Sequence, residues 1–231
     1  MYLLINLSMK KSLLFEALIK FISGLLVLSL LLFLPAGTIR FIGAWRFIIL
    51  LFVPMFIFGV VLLVKSPDLL KKRLKSKESS IVQKNVIKLS AAQLLLSFLI
   101  AGFDYRFGWS KLPTSLIVVA CIIFVASYGL YIDVARENQY LSRTIEIQEG
   151  QKVISTGLYG VVRHPMYFVT VLLFWMMPLV IGSLYSFIIM LPFPLLLVSR
   201  IRDEEKILEE GLPGYKEYEQ KVKYHLIPFL W

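Results

Sequence analysis

Charge is what this sequence has least of. Only 17% of its 231 residues are charged, against about a quarter in a soluble domain, while 58% are hydrophobic and the mean hydropathy is +0.76. That shortage excludes an ordinary water-soluble globule. Cysteine is nearly missing too: Cys121 stands alone, which excludes an intrachain disulfide and a thiolate metal cluster. His164 and His225 are the only histidines, and no grouping of ligand-type residues has zinc or di-iron spacing, so no metal is expected. Internal repeats and low-complexity segments are also lacking. What charge there is leans one way, to a net +10. No basic-aromatic ribbon or zinc-finger spacing accompanies it, so a nucleic-acid partner is not expected. Basic loops beside anionic lipid account for the excess better.

What the chain has in abundance is long apolar runs, each about the length that crosses a hydrocarbon core of roughly 30 Å. The first is Leu13 to Leu34, interrupted by Glu16 and Lys20 and closed by Pro35-Ala36-Gly37. The second, Phe47 to Val64, stops at Ser66-Pro67. A polar stretch from Asp68 to Lys84 follows, with Lys71-Lys72-Arg73 at its centre. Ile87 to Phe103 and Thr114 to Val134 are the third and fourth runs. The last, Met166 to Ile201, is too long for one crossing, and Gly182-Ser183 near its middle predicts a hairpin of two helices. Pro178, Pro192 and Pro194 predict kinks within it. The expected fold is an all-α integral membrane protein of about six transmembrane helices, with a C-terminal helical hairpin and a cytoplasmic amphipathic tail. Residues 1–134 make four spans, and residues 135–231 form the region that carries chemistry. The first four spans show nothing specific.

Charge placement orients this arrangement. One side holds 19 Lys and Arg: two at Lys10 and Lys11, eight in Lys65 to Lys88, four in Arg136 to Arg163 and five after Ile201. The other side holds four, namely Arg40, Arg46, Arg106 and Lys111. The positive-inside rule then puts both termini, and the polar segment before Pro165, in the cytoplasm. Lys10-Lys11 before the first run and small residues after it also fit a cleavable signal peptide; the run's 22 residues favour a retained helix.

The polar segment is the most informative part. Residues Ile145 to Ile154 alternate apolar and polar and are expected to be extended, while Gly157 and Gly160 permit tight turns. Pro165 suits the first turn of a helix and His164 is biased to an extended shape before it. Arg163 is expected to meet a lipid headgroup. At the far end of the last span, Arg200 and Glu204 lie four residues apart on one helix face, where they either pair or serve a site. After Gly211-Leu212-Pro213-Gly214, Tyr215, Tyr218 and Val222 have helical spacing, and that piece is expected to fold back over the polar segment as a lid.

The combination Gly-x-Tyr-x-x-x-Arg-His-Pro-x-Tyr (Gly157 to Tyr167), a hairpin, Arg-x-x-x-Glu-Glu (Arg200 to Glu205) and Tyr-x-x-Tyr (Tyr215 to Tyr218) resembles the isoprenylcysteine carboxyl methyltransferase family. Phospholipid methyltransferases belong to the wider group, and sterol reductases look distantly similar. The resemblance spans roughly Asn138 to Trp231. It implies S-adenosylmethionine as cofactor, with Gln151, Lys152, Val153, Ile154, Tyr159, His164, Pro165, Met166 and Tyr167 lining its pocket and Glu204 in contact with it. It implies that Arg200 holds the carboxylate of a lipophilic, prenylcysteine-like substrate reaching the site through membrane lipid. Gln151 departs from the histidine common at that position. The Gly-x-Gly signature of Rossmann methyltransferases is missing, as expected for a pocket embedded in the membrane. A carboxylate acceptor needs no general base, whereas an amine acceptor needs one, and Glu204 or Glu205 is available. Amine methylation, nicotinamide-dependent reduction and a non-catalytic membrane role remain as alternatives.

Overall fold

A computed structural model describes residues 2–74, 81–141 and 147–231. Among the described residues there are nine α-helices and no strand: α1 (Tyr2–Ala36), α2 (Ile42–Lys65), α3 (Pro67–Leu74), α4 (Ile81–Phe107), α5 (Thr114–Glu137), α6 (Pro165–Ile181), α7 (Leu184–Met190), α8 (Phe193–Gly211) and α9 (Tyr215–Lys221). Five stretches are long and apolar enough to cross a membrane. They are Lys11–Ala36, Ile42–Lys65, Gln83–Phe107, Thr114–Glu137, and Leu184–Gly211, in which α7 and α8 run on from each other. Helix α6 is apolar but has only 17 residues, the lower limit of a span, which is about 17 residues. The expected count of about six is therefore five full-length crossings and one short helix. Large apolar side chains such as Leu34, Ile57 and Ile122 lie exposed on the outer surface. Water would disfavour that surface and hydrocarbon would not, so the fold is that of an all-α integral membrane protein.

Local chemistry sets the breaks. Gly182 closes α6 at a φ of +100°, a left-handed conformation open to glycine, and the Ser183 side chain accepts from Ser186 N to start α7. The predicted hairpin is thus present at its predicted place. Pro178 falls in the last turn of α6 and leaves that helix continuous, whereas Pro192 marks the joint at which α7 runs on into α8. The reading of residues 145–154 as extended needs correction. Ile145 and Glu146 lie outside the described residues, and a turn at Glu149-Gly150 interrupts the rest, with Gln151 N bonded to Gln148 O at 3.0 Å.

Polar anchors lock the helices together at both ends. At one end Arg46 Nε donates to Val180 O at 2.7 Å. Asp104 accepts from Ser110 N and Oγ, each at 2.6 Å, and from Ser183 Oγ at 2.5 Å. Gly43 is required here, because a Cβ in its place would lie 1.8 Å from Ile181 O. Midway, Ser97 Oγ meets Ser186 Oγ at 2.6 Å, and Gln93 Nε2 donates to Ile189 O at 2.7 Å. These bonds tie α4 to α7 in an environment that offers no water as an alternative partner. At the opposite end Gln83 Nε2 donates to Asp203 Oδ2 at 2.6 Å. Arg46, Arg106 and Lys111 thus lie at the end away from Arg163, Arg200 and the tail.

Candidate active site

The end of the bundle carrying Pro165 and Arg200 contains a cavity of about 620 Å³. All eleven residues singled out in the sequence line it: Gln151, Lys152, Val153, Ile154, Tyr159, His164, Pro165, Met166, Tyr167, Arg200 and Glu204. Residues separated by fifty positions meet there because the α6–α8 hairpin returns the chain to its starting level. Pro165 opens α6 at N1, placing His164 at its N-cap and Tyr167 one turn in, opposite Arg200 and Glu204 on α8.

Tyr167 is the link between the two α8 residues. Arg200 Nε donates to its hydroxyl oxygen at 2.8 Å, and the hydroxyl donates to Glu204 Oε2 at 2.6 Å. The Arg200 guanidinium also sits 5.7 Å from the Tyr167 ring centroid. The i,i+4 relation between Arg200 and Glu204 therefore includes a third side chain from a different helix. His164 lies behind them, its ring 5.6 Å from that of Tyr167 and its Nδ1 3.9 Å from Glu204 Oε2.

A second, buried cluster supports this first one. Glu205 Oε1 is 3.0 Å from His164 Nε2 and 3.0 Å from Arg163 Nε, and Glu205 Oε2 is 3.1 Å from His225 Nε2. Arg163 Nη1 reaches Glu219 Oε1 at 2.8 Å, and the same guanidinium contacts His225. The Arg163 side chain is 8% exposed, so the headgroup contact expected for it is corrected: its charge is spent inside, on two carboxylates. The tail closes the cluster through its backbone. Arg163 N donates to Tyr224 O at 2.8 Å and His164 N to His225 O at 2.9 Å, while the His225 ring stacks on Trp231 at 4.7 Å. Burial lowers the pKa of His225 below its ordinary 6.5, opposed by Glu205 and reinforced by the Arg163 guanidinium. Burial likewise holds the Glu219 carboxyl above the usual value, with Arg163 pulling the other way.

The lid is where the sequence places it. Leu212, Tyr215, Tyr218 and Val222 pack with Val153 and Leu208, and the Tyr218 hydroxyl donates to Tyr159 O at 2.7 Å. Tyr159 is held on its other side by Asn138, whose Nδ2 donates to the phenol oxygen at 3.0 Å; burial pushes the Tyr159 pKa to about 12. Gln151, which departs from the expected histidine, turns its Oε1 inward to accept from Gln148 N at 2.9 Å.

The sequence reading missed the other half of the wall. Val86, Ile87, Ser90, Ala91 and Leu94 of α4 line the cavity, as do Arg73 of α3 and Tyr131 of α5. The first four spans are therefore part of the chamber. A signal was there: Ser90, Gln93 and Ser97 interrupt an apolar run at helical spacing, which marks α4 as a helix packed against protein. The hub of Glu205, Glu219 and His225 was also missed, because pairs separated by this much chain leave no periodic trace.

Fold and cavity together define a multi-pass, all-helical membrane protein with a chamber polar at one wall and apolar at the other. Residues 117–210 match the model of the isoprenylcysteine carboxyl methyltransferase (ICMT) family, a segment that holds α6, α7, most of α8 and the residues lining the chamber from Gln151 to Leu208. A stretch of 91 residues is also 33% identical to the Delta(14)-sterol reductase TM7SF2 of Mus musculus. That match covers 38% of this chain and 22% of the relative, so the chain spans about a fifth of that protein's length.

Proposed function

We propose that this protein is an S-adenosylmethionine-dependent methyltransferase that acts on a lipophilic carboxylate, prenylcysteine-like in character, at the cytoplasmic face of the membrane. One observation carries the reading: a single cavity brings the Tyr167–Arg200–Glu204 chain together with the apolar faces of α4 and α8. Its volume, about 620 Å³, falls within the range of small-molecule sites, about 300–1,000 Å³.

The donor set suits the cofactor. Its amino-acid end carries an ammonium and a carboxylate, and the cavity wall offers the Glu204 carboxylate for the first and Lys152 for the second. Gln151, Val153, Ile154 and Tyr159 would hold its adenosine, and His164, Pro165 and Met166, where α6 begins, would complete the pocket. When bound, the cofactor supplies an electrophilic methyl group on a sulfonium. The chain's own residues supply position. Arg200 offers a planar guanidinium that holds one oxygen of an acceptor carboxylate and leaves the other free to attack. Tyr167 fixes the height of Arg200 by accepting from its Nε. Leu94, Phe174, Phe193 and Leu197 receive the acceptor's apolar chain and keep water from the reacting atoms. A carboxylate is ionised at neutral pH and asks for no base.

Calorimetry on purified protein in nanodiscs tests the reading. S-adenosylhomocysteine should bind, and a radiolabelled methyl group should pass to a prenylated cysteine acid. The similarity to a sterol reductase favours one rival, a nicotinamide-dependent reductase. Heat on addition of NADPH and none with S-adenosylhomocysteine would install that rival. Methyl transfer to amines in preference to acids, rising with pH, would move the assignment to an N-methyltransferase with Glu204 as the base.

A further inference from the structure

We infer that Tyr215 is a ligand-binding residue of the lid, its hydroxyl reserved for a hydrogen bond to the bound cofactor. The inference rests on the cofactor reading above. Tyr215 is 4% exposed, and its hydroxyl is buried without a hydrogen-bond partner in the protein, yet the residue lines the cavity. Its neighbour in the same helix behaves differently. The Tyr218 hydroxyl is bonded to Tyr159 O at 2.7 Å and so holds the lid to the loop. A buried hydroxyl left unpaired destabilises the fold that contains it, so a phenylalanine would serve packing alone better. The group is also kept as a donor. Burial first, then the nearby Glu205 and Glu204 carboxylates, raise the Tyr215 pKa well above its ordinary value of 10.0. The residue lines the cavity while its hydroxyl oxygen is sealed beside the α8 carboxylates, so a small adjustment of the lid on ligand binding is what would bring this O–H donor to an acceptor.

The experiment compares Tyr215→Phe with Tyr218→Phe in the full-length protein in nanodiscs, reading thermal midpoint and S-adenosylhomocysteine affinity. Tyr215→Phe is expected to keep or raise the ligand-free midpoint while weakening S-adenosylhomocysteine by on the order of fivefold, the loss of one neutral hydrogen bond. Tyr218→Phe is expected to lower the ligand-free midpoint, because it breaks a bond already made. A Tyr215→Phe protein that loses ligand-free stability, or that binds S-adenosylhomocysteine as tightly as wild type, overturns the inference while the cofactor reading stands. Wild-type protein that takes up no S-adenosylhomocysteine overturns both.

Discussion

The hydroxyl of Tyr167 stands between Arg200 and Glu204, accepting from one at 2.8 Å and donating to the other at 2.6 Å. Two helices are thereby joined at the cavity wall through a single oxygen. Tyr167→Phe removes both bonds, each to a charged group and each contributing about 1.5–3 kcal/mol. Turnover should fall at least tenfold and S-adenosylhomocysteine should bind more weakly, since both neighbours lose their orientation. Unchanged kcat and affinity in the variant would show that the bridge is incidental.

Arg200 and Glu204 should separate by phenotype. Arg200→Lys keeps the charge and loses the planar fork, so kcat should drop by an amount equivalent to about 2–4 kcal/mol while cofactor affinity stays near wild type. Glu204→Gln should weaken cofactor binding directly. A methyl-transfer assay paired with calorimetry reads both, and full activity of Arg200→Lys on every acceptor would remove the carboxylate-holding role.

Arg163 is a matter of stability more than of chemistry. Its guanidinium neutralises Glu205 and Glu219 at 3.0 and 2.8 Å in a site where its side chain is 8% exposed. Arg163→Ala would leave a buried carboxylate uncompensated, at a cost of about 3–5 kcal/mol. The thermal midpoint should fall, and proteolysis should release the segment after Lys221 sooner. A variant as stable as wild type would contradict a supporting role for this hub.

The tail should loosen in mild acid. Because the folded protein disfavours protonated His225, the stability linked to its neutral ring is fully present above about pH 6.5 and is lost as pH falls below that value. Glu219 is raised above 4.5, so its own contribution is present below about pH 4.5 and declines as pH rises. The sign is opposite, and the window begins lower. Thermal midpoints measured from about pH 8 to about pH 5.5 should decline for wild type and much less for His225→Asn. Parallel declines in the two proteins would assign the loss to other groups.

Orientation can be read chemically. Cysteines at Glu210 and Lys111, in a Cys121→Ser background, should react with an impermeant reagent from opposite sides, Lys111 from outside. The 19-to-four split of basic residues motivates this. Reaction of both from one side would refute the arrangement.

Hydrophobic run length alone determined that this chain lives in a membrane, because only a helix satisfies its backbone in hydrocarbon and about twenty apolar residues are needed to cross. Gly182-Ser183 fixed the hairpin and Pro165 fixed the start of α6, since each is a local constraint on φ or on an N–H group. Arg200 and Glu204 were legible because ionisable side chains stand out at the end of an apolar run, whereas Gln151 to Ile154, Tyr159 and His164 to Tyr167 were legible only through the resemblance of their motif to a known family. Only the tertiary structure decided what those residues touch. That Tyr167 links Arg200 to Glu204, that Arg163 faces inward, and that α4 supplies the opposite wall all depend on helices far apart in sequence. The side-chain pattern of one helix records that a face is buried and not which partner buries it. The turn at Glu149-Gly150 was hidden for a related reason: alternation looks the same in a strand and in a loop whose residues happen to point both ways.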